Sequence, residues 1–416
     1  MKFRPLGLVA LACALIVPMG LAGCASDAGA RVINVPADKA TISDAVESAR
    51  PGDLVLVAEG TYDETVTVDT ADITIRGVDR NKVVLNGGYR RINGIEVHSN
   101  GVSVENMTIT GYVQNGLIFD GGYDQPVGAT PGQGDNALVG YHASHVTAYN
   151  NGLYGIYAFA ARDGIIEHSY VSGHPDSGIY VGQCRPCNAL ITKNVAENNA
   201  IGYFGTNASG NVTLVDNEFV GNRLGVAPNS QKAELLAPQE ETVVVGNWIH
   251  DNDNPRAPEI PRGYFGGGIA VGAGTKNTVA RNLVEGHDGV GIEVSPLNDL
   301  LPSNNTVRDN VLRGNRWDLV YATTDGDPRG NCFSGNTFTK SSPAGIEKVM
   351  GCPAASGTVK AGAYTALKAP AGPSYREVPA PPAQEDMPNA RTAPRTSVVG
   401  PAARDWAAEA TVPVGK

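Results

Sequence analysis

A chain of 416 residues is long enough to bury a substantial core, and by length alone would allow two or three domains. Its 51 glycines, against only 6% aromatic residues, favour a turn-rich β architecture over a helical one. The net charge of −10 and a pI near 5.2 exclude a nucleic-acid partner, because counterion release at phosphates needs a basic surface.

The chain opens with Lys2 and Arg4, an apolar run over residues 6–19, and then Leu21-Ala22-Gly23-Cys24. This order reads as an export signal over 1–23, not as a membrane span. The L-A-G-C ending resembles the lipobox of bacterial lipoproteins. That resemblance implies that Cys24 becomes the lipidated first residue, that 24–31 is a linker, and that the protein sits on the extracytoplasmic side of the cell membrane. Export also places Cys184, Cys187, Cys332 and Cys352 in an oxidising compartment, where local pairing, 184 with 187 and 332 with 352, is predicted.

Next comes T-I-S-D-A-V-E-S-A, which predicts a short helix capped by Thr41, with Asp44 three residues on. Short strands follow in L-V-L-V, V-T-V, I-T-I-R-G and V-V-L-N-G-G. From residue 94, Gly-led segments with period-2 alternation recur: G-I-E-V, G-L-I-F, G-I-Y-A, G-I-Y-V, G-Y-F-G, G-V-A-P, G-I-A-V, G-I-E-V. The steps 155→178, 178→202, 202→225 and 268→291 are 23, 24, 23 and 23 residues, the mark of stacked coils built from strands. Asn106, Asn194, Asn217, Asn247, Asn282, Asn310 and Asn336 keep the same beat. A second turn residue often follows five positions later, as at Asn199, Asn222, Asn252 and Asn315. Asparagine tolerates left-handed backbone, so these positions predict coil corners whose amides bond from rung to rung. His145 and His168 align with the first corner and, on adjacent rungs, would bring two imidazoles together. His287 aligns with the second corner, and His174 falls one position beyond it. A stack needs its end covered, so the helix at Thr41 is expected to serve as a lid.

These motifs, over residues 32–340, resemble the right-handed parallel β-helix of the pectin-lyase-like superfamily, an all-β solenoid. L-Y-G-I-Y (153–157) and D-S-G-I-Y-V-G-Q (176–183) are similar to bacterial parallel β-helix repeat proteins of the NosD-like and carbohydrate-binding or sugar-hydrolase type. The resemblance implies a polysaccharide partner but no particular reaction. Sugar epimerases of this fold carry Y-G-x-D-P-H; here Tyr154-Gly155-Ile156 is followed by Tyr157, Ala158 and Phe159, without the Asp and His. Lyases of the fold use clustered acidic calcium ligands with a basic residue; Asp120, Arg162 and Asp163 stand isolated. D-N-D-N-P at Asp251 lacks the Gly and closing Glu of a calcium loop. No metal or cofactor is therefore assigned; calcium, and a metal held between His145 and His168, are the alternatives. Residues 341–416, rich in Pro and Ala and without periodicity, are expected to be disordered or to lie extended along the solenoid, with low order beyond residue ~366.

In a G-I-x-V strand the Ile and Val face the core and x faces outward. Down the stack x is Glu96, Ile118, Tyr157, Tyr180, Phe204, Ala227, Ala270 and Glu293. Tyr157, Tyr180 and Phe204 are thus predicted to form an exposed strip for sugar rings, unless a one-residue slip exposes Tyr203 in place of Phe204. Insertions at 121–140, 229–241 and 296–304 are expected to wall this strip into a groove. His174, Asp176 and Tyr180 are the catalytic candidates, as a base, its orienter and a neighbouring hydroxyl. The expected protein is a lipid-anchored monomer binding extracellular or cell-wall polysaccharide. The alternatives are a lyase or epimerase acting on uronic-acid polymers, or an accessory protein docking a protein partner on the strip.

Overall fold

The structure, a computed structural model, describes residues 29–123, 128–260, 263–322, 325–353, 357–360 and 364–415. The export signal over 1–23 and the lipidation site Cys24 lie outside the described residues. From Val32 to Ser342 the chain winds as a parallel solenoid whose coils each place strands on three faces. The first face includes Thr74–Gly77, Ala161–Glu167 and Thr242–Val245. The second includes Tyr170–Ser172 and Trp248–His250. Val102–Thr110 and Leu138–Tyr149 run unbroken round the corner between them, so these two faces count as one sheet. The third face is an eleven-stranded sheet that includes Tyr154–Phe159, Ser177–Gly182, Ile201–Thr206, Leu224–Asn229, Gly267–Gly272 and Val290–Ser295. Inward Val, Ile, Leu and Phe from all three faces meet in one continuous core.

The glycine beat has a steric cause. A Cβ on Gly202 would lie 2.6 Å from the carbonyl oxygen of Gly225, and one on Gly225 would lie 2.6 Å from that of Gly268. Each coil thus begins its third face where the next rung approaches too closely for any side chain.

The asparagines form buried ladders. In the first, Asn194 donates to Asn217, Asn217 to Asn247, Asn247 to Asn282, Asn282 to Asn310 and Asn310 to Asn336, at 2.9–3.0 Å. Each amide also donates to a strand carbonyl, as Asn217 does to Ile191 at 2.8 Å. Polar corner groups are thereby satisfied without water. His145 and His168 are displaced from the predicted slot: Val146 and Ser169 occupy it, and the histidines stand one residue earlier, at φ 52° and 49°. This is the left-handed position that Lys193 and Asp216 hold in later coils, and it turns a side chain outward.

Both ends are closed. Thr41 accepts the amide of Asp44 and starts the helix Ile42–Ser48, whose Ile42, Ala45 and Val46 are buried over the first coil. At the other end Ile346 and Met350 are buried, beside the disulfide Cys332–Cys352. Cys184 and Cys187 form the second disulfide, so both local pairings are as expected.

The Pro/Ala-rich tail corrects the expectation of low order beyond residue 366. It lies extended on the solenoid, held largely by side chains donating to its backbone carbonyls. Arg223 reaches Pro370, Asn150 reaches Val378 at 2.8 Å, and Arg80 reaches Glu385 at 3.1 Å. Arg76 then takes Ala393 and Pro394 at 2.7 and 2.9 Å. There the tail turns back along the first face until Arg281 takes Ala408 at 2.6 Å and Trp406 packs by Val215 and Val245. Proline cannot donate to a ladder, whereas its carbonyl accepts freely, so a Pro-rich segment suits this attachment.

Candidate functional site

The outward row of the third face has the predicted register: Tyr157 pairs with Tyr180, Tyr180 with Phe204, and Phe204 with Ala227. Tyr203 points into the core, so no slip occurs. The predicted exposure, however, is corrected. Tyr180 is 4% and Phe204 3% accessible, because Ile260 and Tyr264 from a loop before Gly267 pack on them. That loop was not among the expected insertions. From 229–241, Glu234 reaches the same face and accepts from the Gln183 side chain at 2.6 Å. Of the expected wall at 121–140, residues 124–127 lie outside the described residues.

What stays open is the lower end of the row. Tyr154, Tyr157 and Phe159 are half-buried, with Tyr157 stacked 4.5 Å from Tyr154, 4.7 Å from Tyr180 and 5.9 Å from Phe159. Phe159 and Tyr154 were missed because they lie two and three residues from Tyr157 on the strand, outside the column of x positions. Alternation puts i and i+2 on one side, which is the signal that would have found Phe159; Tyr154, at an odd offset at the strand's start, carries no such signal. Asp120, Asp176 and Glu234 surround this shelf, and their charges add to burial in pushing the Tyr157 hydroxyl well above its usual range.

His174 is no turn residue free to act as a base, which corrects the catalytic reading. It is fully buried in the second ladder. Its Nδ1 faces Asn199 Oδ1 at 2.8 Å, and its Nε2 faces the Asn151 amide nitrogen at 3.3 Å. Both nitrogens are used, and burial lowers its pKa to about 4. His287 sits in the same ladder, between Asn252 at 3.1 Å and Asn315 at 2.8 Å. Asp176 lies instead by the Tyr154 hydroxyl, and Tyr180 is buried among rings.

The densest polar cluster lies elsewhere, on the outside of the first face beneath the tail. Arg76 Nε meets Glu105 at 2.6 Å, both fully buried. Ser103 Oγ donates to Glu105 at 2.6 Å and contacts His142 Nδ1 at 2.7 Å, while His142 Nε2 faces Glu167 at 3.2 Å. Despite burial, hydrogen bonds to the two carboxylates hold the His142 pKa up at about 9. Glu105 is held down at about 2, against its own burial, by His142, Arg76 and Ser103. Three residues along, burial and the facing His168 lower His145 to about 4; the two rings stack at 4.9 Å. His142, His145, Glu167 and His168 line a cavity of about 480 Å³ together with Met387, Pro388 and the 396–399 stretch of the tail. An imidazolium and a neutral imidazole in one cavity are an acid and a base kept apart by environment. Among the described residues no group of three or more His, Cys, Asp or Glu side chains is arranged to hold a metal ion.

A family model described as a right-handed β-helix region matches residues 139–237 and 228–356, together just over half of the chain. No curated protein matches in sequence. Among solved structures, pectate lyase Pel9A is similar at 14% identity over 79% of this chain and 82% of its own, with a TM-score of 0.49. The A-module of the Azotobacter vinelandii mannuronan C-5 epimerase AlgE4 is 14% identical over 72% of this chain and 92% of its own, TM-score 0.41. The Dettilon tailspike protein is 13% identical over 75% and 69%, TM-score 0.48. Identities this low bear on the fold alone.

Proposed function

Because the chain belongs to the family of right-handed β-helix regions, a scaffold that fixes no reaction, we propose that it is an exported protein that binds polysaccharide on its third face. The observation that carries this reading is the half-open stack of Tyr154, Tyr157 and Phe159 on a rigid sheet. Rings held in place lose little freedom when a sugar face stacks on them. The surrounding Asp120, Asp176 and Glu234 favour neutral or amino-bearing rings over uronates, whose carboxylates they repel. Anchoring through a lipidated Cys24 on the extracytoplasmic side belongs to the same proposal. Cys24→Ala should then move the protein from the membrane to the soluble fraction, and an unchanged distribution would refute the anchor.

The binding test uses Tyr157→Ala with Phe159→Ala, since Tyr180 and Phe204 are core residues whose removal would cost stability. Two stacking partners at about 0.5–1.5 kcal/mol each correspond to roughly tenfold weaker glycan binding or more. Pull-down on neutral cell-wall and extracellular glycans that is unaffected by this pair would sink the proposal. Equal competition by polyuronates would remove the neutral-ring preference.

A second reading is favoured by the separated His142 and His145: proton-transfer chemistry on a glycan in the first-face cavity, in place of His174, Asp176 and Tyr180. Release of unsaturated products from uronic-acid polymers, abolished by His145→Ala, would support it; their absence counts against it.

A further inference from the structure

Above Phe204 the outward row changes from rings to methyls, Ala227 and Ala270, and then to Glu293. The loop carrying Tyr264 and Phe265 and the tail at Tyr364 and Leu367 line the space over these strands. The result is a cavity of about 250 Å³ with Glu293 in its wall. A liquid water takes ~30 Å³, so this space is about eight waters, the size of one sugar ring. Glu293 accepts from Ser295 and, at 3.3 Å, from the Tyr364 hydroxyl, and among the described residues no basic side chain lies within ion-pair distance of it. Arg223 stands over Phe265 at 5.3 Å without lining the cavity, and the charge of Arg316 acts on the Tyr364 hydroxyl.

We infer that this cavity binds a monosaccharide-sized organic ammonium ion, its charge paired with Glu293 and its ring seated among Tyr264, Phe265 and Tyr364. A half-buried carboxylate without a cation is costly, and an entering ammonium removes that cost. Aromatic faces add attraction for the same charge. An anion would be repelled, and a neutral sugar leaves the carboxylate uncompensated. Burial raises the Glu293 pKa, so affinity should fall as pH drops through it and the carboxyl takes a proton. The cavity is separate from the Tyr157 shelf, because buried Tyr180, Phe204 and Ile260 stand between them.

The test is calorimetric titration of the full-length protein with glucosamine and with glucose at pH 7. Glucosamine should bind at least tenfold more tightly than glucose. Glu293→Gln should weaken it at least tenfold, and Ala270→Leu, which fills the cavity and leaves the carboxylate, should do the same. Ala270→Leu should leave pull-down on the glycans of the Tyr157 shelf unchanged, which separates this site from that shelf. Equal binding of both sugars, no binding of glucosamine, or indifference to Ala270→Leu would each overturn the inference, whatever becomes of the fold in Glu293→Gln.

Discussion

Between pH 6.5 and pH 4 the fold is expected to lose roughly 6 kcal/mol through two imidazoles, His174 and His287. Burial depresses both to about 4 from an unfolded value near 6.5. Below 6.5 the unfolded chain therefore takes up protons that the folded chain refuses. Their contribution is complete above about 6.5 and is lost as pH falls towards 4, at about 3 kcal/mol each. The geometry gives the reason. In each ring Nδ1–H donates to an asparagine oxygen, at 2.8 Å to Asn199 and 2.8 Å to Asn315. The lone pair on Nε2 accepts from Asn151 or Asn252. A proton on Nε2 would face an amide N–H in a dry corner. Since asparagine is the usual residue of this ladder, His174→Asn with His287→Asn should keep stability within about 1 kcal/mol at pH 7 while flattening the acid loss. Denaturant titrations of both proteins at pH 7 and pH 4.5 decide the matter. An acid loss in the double variant equal to that of the parent would show that the ladder histidines are not its source. His145, also lowered to about 4 but only half enclosed, adds a smaller share.

Glu105→Ala should cost about 3–5 kcal/mol, because it leaves buried Arg76 and protonated His142 without their shared anion. Glu167→Ala, whose side chain is 32% exposed, should cost nearer 1 kcal/mol. The pH dependence has two limbs of opposite sign. Glu105 is depressed to about 2, so its contribution is complete above the ordinary glutamate range near 4.3 and is lost as pH falls towards 2. His142 is raised to about 9, so its contribution is complete below about 6.5 and is lost as pH rises towards 9. In Glu105→Ala the alkaline limb should shrink, with Glu167 alone left to hold the imidazolium. Urea unfolding at pH 6 and pH 9 measures both effects. A Glu105→Ala cost no larger than that of Glu167→Ala would mean that the cluster is solvated and that the tail does not seal it.

The coil was legible because its physics is local. Gly178, Gly202 and Gly225 recur at the period that the approach of the next rung imposes, and Asn217, Asn247 and Asn282 recur one residue after the left-handed corner positions Asp216, Gly246 and Arg281, where their amides bond from rung to rung. Thr41 and Asp44 specify their cap within three residues. Both disulfides pair across short separations within the chain. The row of outward positions followed from strand alternation, and Tyr157, Tyr180 and Phe204 are indeed neighbours on successive rungs.

Exposure was not legible, since it depends on what crosses over a face from elsewhere. Ile260 and Tyr264 bury Tyr180 and Phe204, and no periodic signal connects that loop to those strands. The His142 cluster was hidden for a related reason. Arg76, Glu105, Ser144 and Glu167 share a column, but they are 29, 39 and 23 residues apart because the coils between them differ in length. A fixed repeat cannot align them. His174 was read one position out of its ladder by the same uncertainty of register. The tail carries no period at all; its course is set by Arg76, Arg80, Arg223 and Arg281 reaching its carbonyls from distant coils. The sequence by itself thus determined the solenoid, its corners, its N-terminal lid and its disulfides, each specified by residues near in the chain or one period apart. Only the tertiary structure decided which faces remain open and which charged groups share a cavity, because those depend on contacts between segments that no repeat relates.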